Sequence, residues 1–310
     1  MTRFITLVAL VAGGASLASS QPGLVLTGVV NSASFQSGLP AGGGLATMFC
    51  SGTDITGTLK PGTYLAPTSS SLPYQLGGFQ VIINNAYAPI LAVVITASGG
   101  SMNAQVNFQV PIERNAAIST LRGSYPGYLL ACGPGSSTDL PPQSQWGGFF
   151  GDATGYAIAQ HASDYSPVTV QNPAHAGETI IAYADDFFPV WPSPPVGLPT
   201  PQEPLFQILP SHDALTRGGS PDYLYLQTYP QLDIQGRSYA STPALQTTFQ
   251  GLAPGLVGVE QINFVVPANQ QPGDWALFYN TGSCPDGGAG SASRCGVFGS
   301  SSPYVKLPVR

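Results

Sequence analysis

An all-β protein of two tandem β-sandwiches is the fold class this sequence predicts, and three observations predict it. Short runs alternate apolar with polar residues, and no segment sustains an amphipathic helical period over three turns. Thirty-eight glycines and thirty prolines separate these runs as turns, while 43% of residues are still hydrophobic. One run is also written twice, as "QVNFQVP" at 105–111 and "QINFVVP" at 261–267. At 310 residues the chain is long enough for about two domains, each burying its own core.

The elements follow in chain order. Residues 1–20, "MTRFITLVALVAGGASLASS", read as a signal peptide, with Arg3 as the positive region, Phe4 to Val11 apolar, and small residues at the cut. The run is too short to span a membrane, and no later segment is apolar for about 18 residues. Export makes the chain secreted, extracellular or surface-bound, and makes Cys50, Cys132, Cys284 and Cys295 readable as disulfides. Four cysteines allow three connectivities. A local Cys284–Cys295 bridge would restrain "PDGGAGSASR" and leave Cys50 to pair with Cys132. A zinc site is the weaker reading of these cysteines, because no C-x-x-C pair exists and the histidines are scattered.

In the repeated run, Val106, Phe108 and Val110 alternate with Gln105, Asn107 and Gln109, as Ile262, Phe264 and Val266 do in the second copy. Period two describes a strand with one face in a core and one in water, so Phe108 and Phe264 are expected at corresponding buried positions. Pro111 and Pro267 close the two runs, since proline cannot donate to a sheet ladder. Upstream, "PAGGGLATMFCSGTD" (40–54) aligns with "PAHAGETIIAYADDF" (173–187), setting Gly44 over Gly177 and Phe49 over Tyr183 or its neighbour. Between these blocks lie two hairpin signals, Asn84-Asn85 within 79–91 and Gln235-Gly236 within 231–245. The offset between copies grows from 133 to 151 to 156, which places an insertion at 206–230. Two immunoglobulin-like sandwiches related by internal duplication follow, at 22–140 and 145–310, joined through the Pro/Gly-rich stretch 137–152.

The blocks "VVNSASFQSGLPAGG", "LGGFQVIINNAYAPIL", "QVNFQVP", "NPAHAGETIIAYADDF" and "GLAPGLVGVEQINFVVPANQQPGD" together resemble the Solibacter-type C-terminal domain family of secreted acidobacterial proteins. The resemblance covers most of 28–111 and 155–280. It implies tandem sandwiches similar to immunoglobulin-like or IPT/TIG modules, and it brings no catalytic residue with it. The 206–230 insertion and the Cys284–Cys295 loop stand outside the family pattern.

Charged residues are only 8% of the chain, against roughly 25% in typical soluble proteins. Removing the leader leaves eight basic against fifteen acidic side chains, a formal charge of −7. That balance excludes nucleic acid or an anionic membrane as partner. No G-x-S-x-G elbow is present, and His161, His175 and His212 read as polar loop histidines without partners at motif spacing. Asp185-Asp186 is the one adjacent acidic pair. Adjacent strand residues point to opposite faces, so the pair reads as a solvated strand end and not a calcium site. No catalytic residue, metal ligand or cofactor is assigned.

The binding-surface candidates are aromatic. Trp191 lies in "FFPVWPSPPVGLPTPQEPLF" (187–206), whose seven prolines make it stiff and extended. It reads as a crossover between sheets, or as a ring offered to a sugar or a partner protein. Tyr223, Tyr225 and Tyr229 cluster in the insertion, either as a contact surface or as an added edge strand. Edge strands are usually guarded by lysine, and this chain has only Lys60 and Lys306, so sheet-edge pairing with another chain is also expected. The function classes that remain are a non-catalytic extracellular module for adhesion, assembly or ligand binding, a carbohydrate-binding module, and a secreted hydrolase with dispersed residues.

Overall fold

The computed structural model describes residues 23–54, 57–67, 70–112, 128–130, 132, 137–139, 147–187, 190–191, 196–208, 223–228, 245–281, 300–301 and 303–310. The leader, the two short stretches nearest to a helical pattern ("PIERNAAIST", 111–120, and "SHDALTRGG", 211–219), the 231–244 part of the second hairpin signal, Tyr229, Cys284 and Cys295 lie wholly or largely outside them. Regular structure in the described residues is all strand, in four sheets whose strand pairs are antiparallel.

Two sheets form before residue 140. The larger contains β1 (Leu24–Asn31), β2 (Leu45–Gly52), β3 (Gly62–Leu65), β6 (Ile90–Ser98) and β7 (Ser101–Gln109), in the order β1-β2-β7-β6-β3. The smaller contains β4 (Val81–Ile83), β5 (Ala86–Ala88), β8 (Tyr128–Leu130) and β9 (Ser137–Asp139), in the order β5-β4-β8-β9. Met48, Ile90, Val106 and Phe108 of the first sheet share one apolar cluster with Phe79, Val81 and Ile83, the sandwich arrangement of two inner faces. Asn84 and Asn85 both take positive φ, 48° and 65°, and make the tight turn between β4 and β5. Cys50 is bonded to Cys132, closing 82 residues of chain with an expected entropic gain of about 4 kcal/mol.

The other two sheets follow residue 147. One contains β10 (Gly148–Phe149), β11 (Ala159–His161), β12 (Thr179–Asp185), β13 (Val190–Trp191), β14 (Gln207–Ile208), β16 (Thr247–Leu252) and β17 (Glu260–Val265). Its order is β10-β12-β17-β16-β14-β13, with β11 also on β12. The last contains β15 (Tyr223–Thr228), β18 (Gly273–Thr281), β19 (Ser300–Ser301) and β20 (Val305–Val309), all joined through β18. A second cluster fills the space between, with Ile180, Ile262 and Phe264 against Leu277, Leu307 and Val309.

The repeated run falls in β7 and β17, and Phe108 and Phe264 are both fully buried. Register extends the correspondence. Phe108 pairs with Ala46 and Ile90, and Phe264 pairs with Ile180 and Thr247. One residue is bulged immediately after Ile90 and one immediately after Thr247. Phe49 opposite Gln105 matches Tyr183 opposite Gln261, as expected. The glycine alignment, however, is off by one. Gly43 N donates to Val110 O and Gly177 N to Val266 O, and both glycines have positive φ, so Gly43 is the counterpart of Gly177. Three consecutive glycines at 42–44 carry no side-chain signal that could set register in the sequence alone.

Candidate functional site

Strand β1 of the first half and strand β11 of the second end in the same backbone turn. Asn31 pairs with Ala46 at the end of β1, and His161 pairs with Ile180 at the end of β11. Asn31 O accepts from Phe35 N, and His161 O accepts from Tyr165 N. Phe35 and Tyr165 both sit at positive φ, 55° and 59°. Further matches are Gly38 N to Val29 O and Val168 N to Ala159 O. "NSASF" and "HASDY" are therefore corresponding corners, although no residue is identical between them in register. Each corner lies beside the loop that leads into the second strand, residues 40–44 or 174–178.

In the N-terminal corner the pair Asp185-Asp186 is docked, and Asp185 is not the solvated strand end its sequence suggested. Its side chain is 0% exposed. Leu45 N donates to both Asp185 carboxylate oxygens at 3.0 and 3.1 Å, and Asn31 Nδ2 donates to Oδ2 at 3.1 Å. Asn31 Oδ1 accepts from Ala33 N and Ser34 N, which fixes the amide orientation. Asp186, at φ 59°, turns off the strand and accepts from Ala41 N at 3.0 Å. The alternation rule fails here because Asp186 leaves extended geometry, so both carboxylates reach the same loop. Burial, and then the nearby charges of Asp186 and Glu260, push the Asp185 carboxyl well above the usual carboxylate range; Leu45 N and Asn31 pull the other way. Gln109 adds one more contact between the halves, anchored by one within its own half. Gln109 Nε2 donates to Gly43 O at 2.8 Å, and Gln109 Oε1 accepts from Gly197 N at 2.6 Å.

The C-terminal corner holds a different group. His161 is buried in β11, not in a loop, and its Nδ1 lies 3.1 Å from Glu178 Oε2. Its Nε2 lies 3.3 Å from the backbone carbonyl of Asn172. Glu178 Oε1 accepts from His175 N and lies 3.8 Å from His175 Nδ1. One ligand atom from each of His161, His175 and Glu178 falls within 4.8 Å of the others. The spacing H-x-x-E at 175–178 is the signal by which sequence could have found two of the three members. Its third member comes from a strand 14 residues earlier, and His212 lies outside the described residues.

The aromatic candidates are scattered. Trp191 is in β13, paired with Gln207 of β14. Tyr223 and Tyr225 are in β15, opposite Asn280 and Phe278, so that part of the insertion is an edge strand. Phe187 and Phe206 are buried, and Phe187 packs edge-on against Phe149 at 5.0 Å. A pair that the sequence did not single out is open to solvent. Tyr74 and Tyr87, 49% and 51% exposed, stand at 6.4 Å between ring centroids. With Gln80 they line a groove of about 430 Å³ beside edge strand β5. No helix among the described residues is long and apolar enough to cross a membrane. No protein-family model, curated protein or solved structure matches the chain.

Proposed function

We propose that the protein is an exported, non-catalytic extracellular or surface module of two duplicated immunoglobulin-like sandwiches, as the resemblance to the Solibacter-type family implies, and that it works by binding. The carrying observation is the Tyr74–Gln80–Tyr87 groove. Two exposed rings at an angle with an amide between them suit a sugar, whose C–H faces stack on tyrosine while its hydroxyls bond to polar groups. Support for a non-catalytic role comes from His161, whose two ring nitrogens face Glu178 and the Asn172 carbonyl and not a nucleophile. Support for duplication comes from the matching register, bulge and corner turn of the two halves.

The test is glycan-array binding of the mature protein beside Tyr74→Ala, Tyr87→Ala and Trp191→Ala variants. Loss of signal in the two tyrosine variants, with Trp191→Ala unchanged, is the expected result. Binding that depends on Trp191 alone would move the site to the Pro-rich segment, and no binding at all would remove the glycan reading. A second reading has its own observation. Edge strand β3 carries Leu65, 68% exposed, beside an unpaired ladder edge, which suits pairing with a second copy of this chain. Sedimentation that stays monomeric over a wide concentration range would end it.

A further inference from the structure

We infer that His161, His175 and Glu178 form a binding site for a divalent transition-metal ion of the zinc class. The hydrogen-bonding surroundings of His161 lead there first. A carboxylate and a carbonyl oxygen are both acceptors only, yet they face the two nitrogens of one imidazole, at 3.1 and 3.3 Å. A neutral ring has a single N–H to offer. With that proton on Nε2, directed at the Asn172 carbonyl, the Nδ1 lone pair faces the Glu178 carboxylate, and a cation shared by the two, either a second ring proton or a metal ion set beside the pair, converts repulsion into attraction.

Ligand geometry agrees. Nitrogen and oxygen ligands about 2.1 Å from tetrahedral Zn²⁺ stand about 3.4 Å apart. The two imidazoles face the two oxygens of one carboxylate, His161 Nδ1 at 3.1 Å from Glu178 Oε2 and His175 Nδ1 at 3.8 Å from Glu178 Oε1, on either side of that value. The Nε2 contact to a backbone carbonyl is the outer partner that orients a metal-binding imidazole. His161 is held in a buried strand, while the His175 side chain is 59% exposed and able to close the remaining distance. Two imidazoles and one carboxylate favour zinc, copper or nickel over calcium, which takes six to eight oxygens. Three protein ligands leave a fourth position on the solvent side for water or an external group.

The experiment uses the mature full-length chain without an affinity tag, stripped with chelator and titrated with Zn²⁺ by calorimetry at pH 7.5, with Ca²⁺ in parallel. One Zn²⁺ per chain is expected, with no saturable Ca²⁺ binding. His175→Ala lies on the surface and should keep the wild-type near-UV circular dichroism while weakening Zn²⁺ at least tenfold, roughly the loss expected for a damaged metal site. Glu178→Gln should behave the same way. Absence of saturable Zn²⁺ binding, or unaltered affinity in a folded His175→Ala variant, would each overturn the assignment.

Discussion

At the Asn31 corner the loop holds a carboxylate from Asp185, 154 residues away in the chain; at the His161 corner the corresponding loop holds one from Glu178, 17 residues away. The backbone at the two places is the same. Among the side chains that differ is one loop position in register, Gly44 in the first half and Glu178 in the second, since Gly44 O accepts from Val110 N and Glu178 O accepts from Val266 N. A Cβ on Gly44 would stand 2.9 Å from Pro40 Cβ and 3.2 Å from Asp185 Oδ1. Glycine therefore leaves the corner open to its neighbour, and glutamate fills the corner from within. A repeated backbone can thus receive an anion in both halves of a tandem pair, while the side chains at the corner decide whether it joins two units or serves a site of its own.

The strongest way to break the comparison is Asp185→Ala. It leaves Leu45 N and Asn31 Nδ2 buried without an acceptor, and the expected loss is about 3–5 kcal/mol in denaturant unfolding. Glu178→Ala removes a half-buried acceptor that water can replace, so about 1 kcal/mol is expected. Equal losses in the two variants would mean that the corners are not differentiated in the way the contacts indicate.

Gly44→Ala should come next, at about 2 kcal/mol, because its methyl group must displace either Pro40 or the docked Asp185. The combination with Asp185→Ala separates these causes. If the clash is with Asp185, the double variant loses less than the sum of the singles, measured as a coupling in the cycle. Additive losses would place the clash in the Pro40–Ala41 turn, whose Ala41 O stands 3.1 Å from the added Cβ.

The sandwich cores were legible in the sequence because their signals are local. Alternation placed Phe108 and Phe264, Asn84-Asn85 announced its turn, and the pairing left after a Cys284–Cys295 bridge gave Cys50 with Cys132. The corners were not legible, for a reason of distance. Asp185 looks like an exposed acid until its donors, Leu45 and Asn31, are brought in from 140 and 154 residues upstream. His161 likewise looks like a loop residue in "AQHASDY", where three residues of β11 are too few to show an alternation. Tyr74 and Tyr87 escaped notice because 13 residues and a hairpin separate them, and only the fold makes them neighbours.

The smallest expected effect concerns pH and separates the corners by charge. Burial, together with Asp186 and Glu260, raises the Asp185 carboxyl above its unfolded value near 3.9. A carboxyl raised on folding contributes stability that is fully present below the unfolded pKa and is lost as pH rises through the folded one. Wild-type protein should therefore lose stability as pH climbs from about 4 toward the raised native value. Asp152 acts in the opposite sense. Burial raises its carboxyl, but hydrogen bonds from Thr154 and Tyr156 and the charge of Lys306 outweigh that and hold it below the usual value. Its contribution is present above the unfolded pKa and fades as pH falls through the lower native one, so it adds to the acid limb of the curve, as does Asp164, held low by Ser166. Asp185→Asn keeps the shape of the docked side chain and removes its titration, so the slope above pH 4 should flatten while the acid limb stays. Urea midpoints measured across this window in both proteins check the sign. If the slope above pH 4 survives in Asp185→Asn, it belongs to some other group and not to the corner.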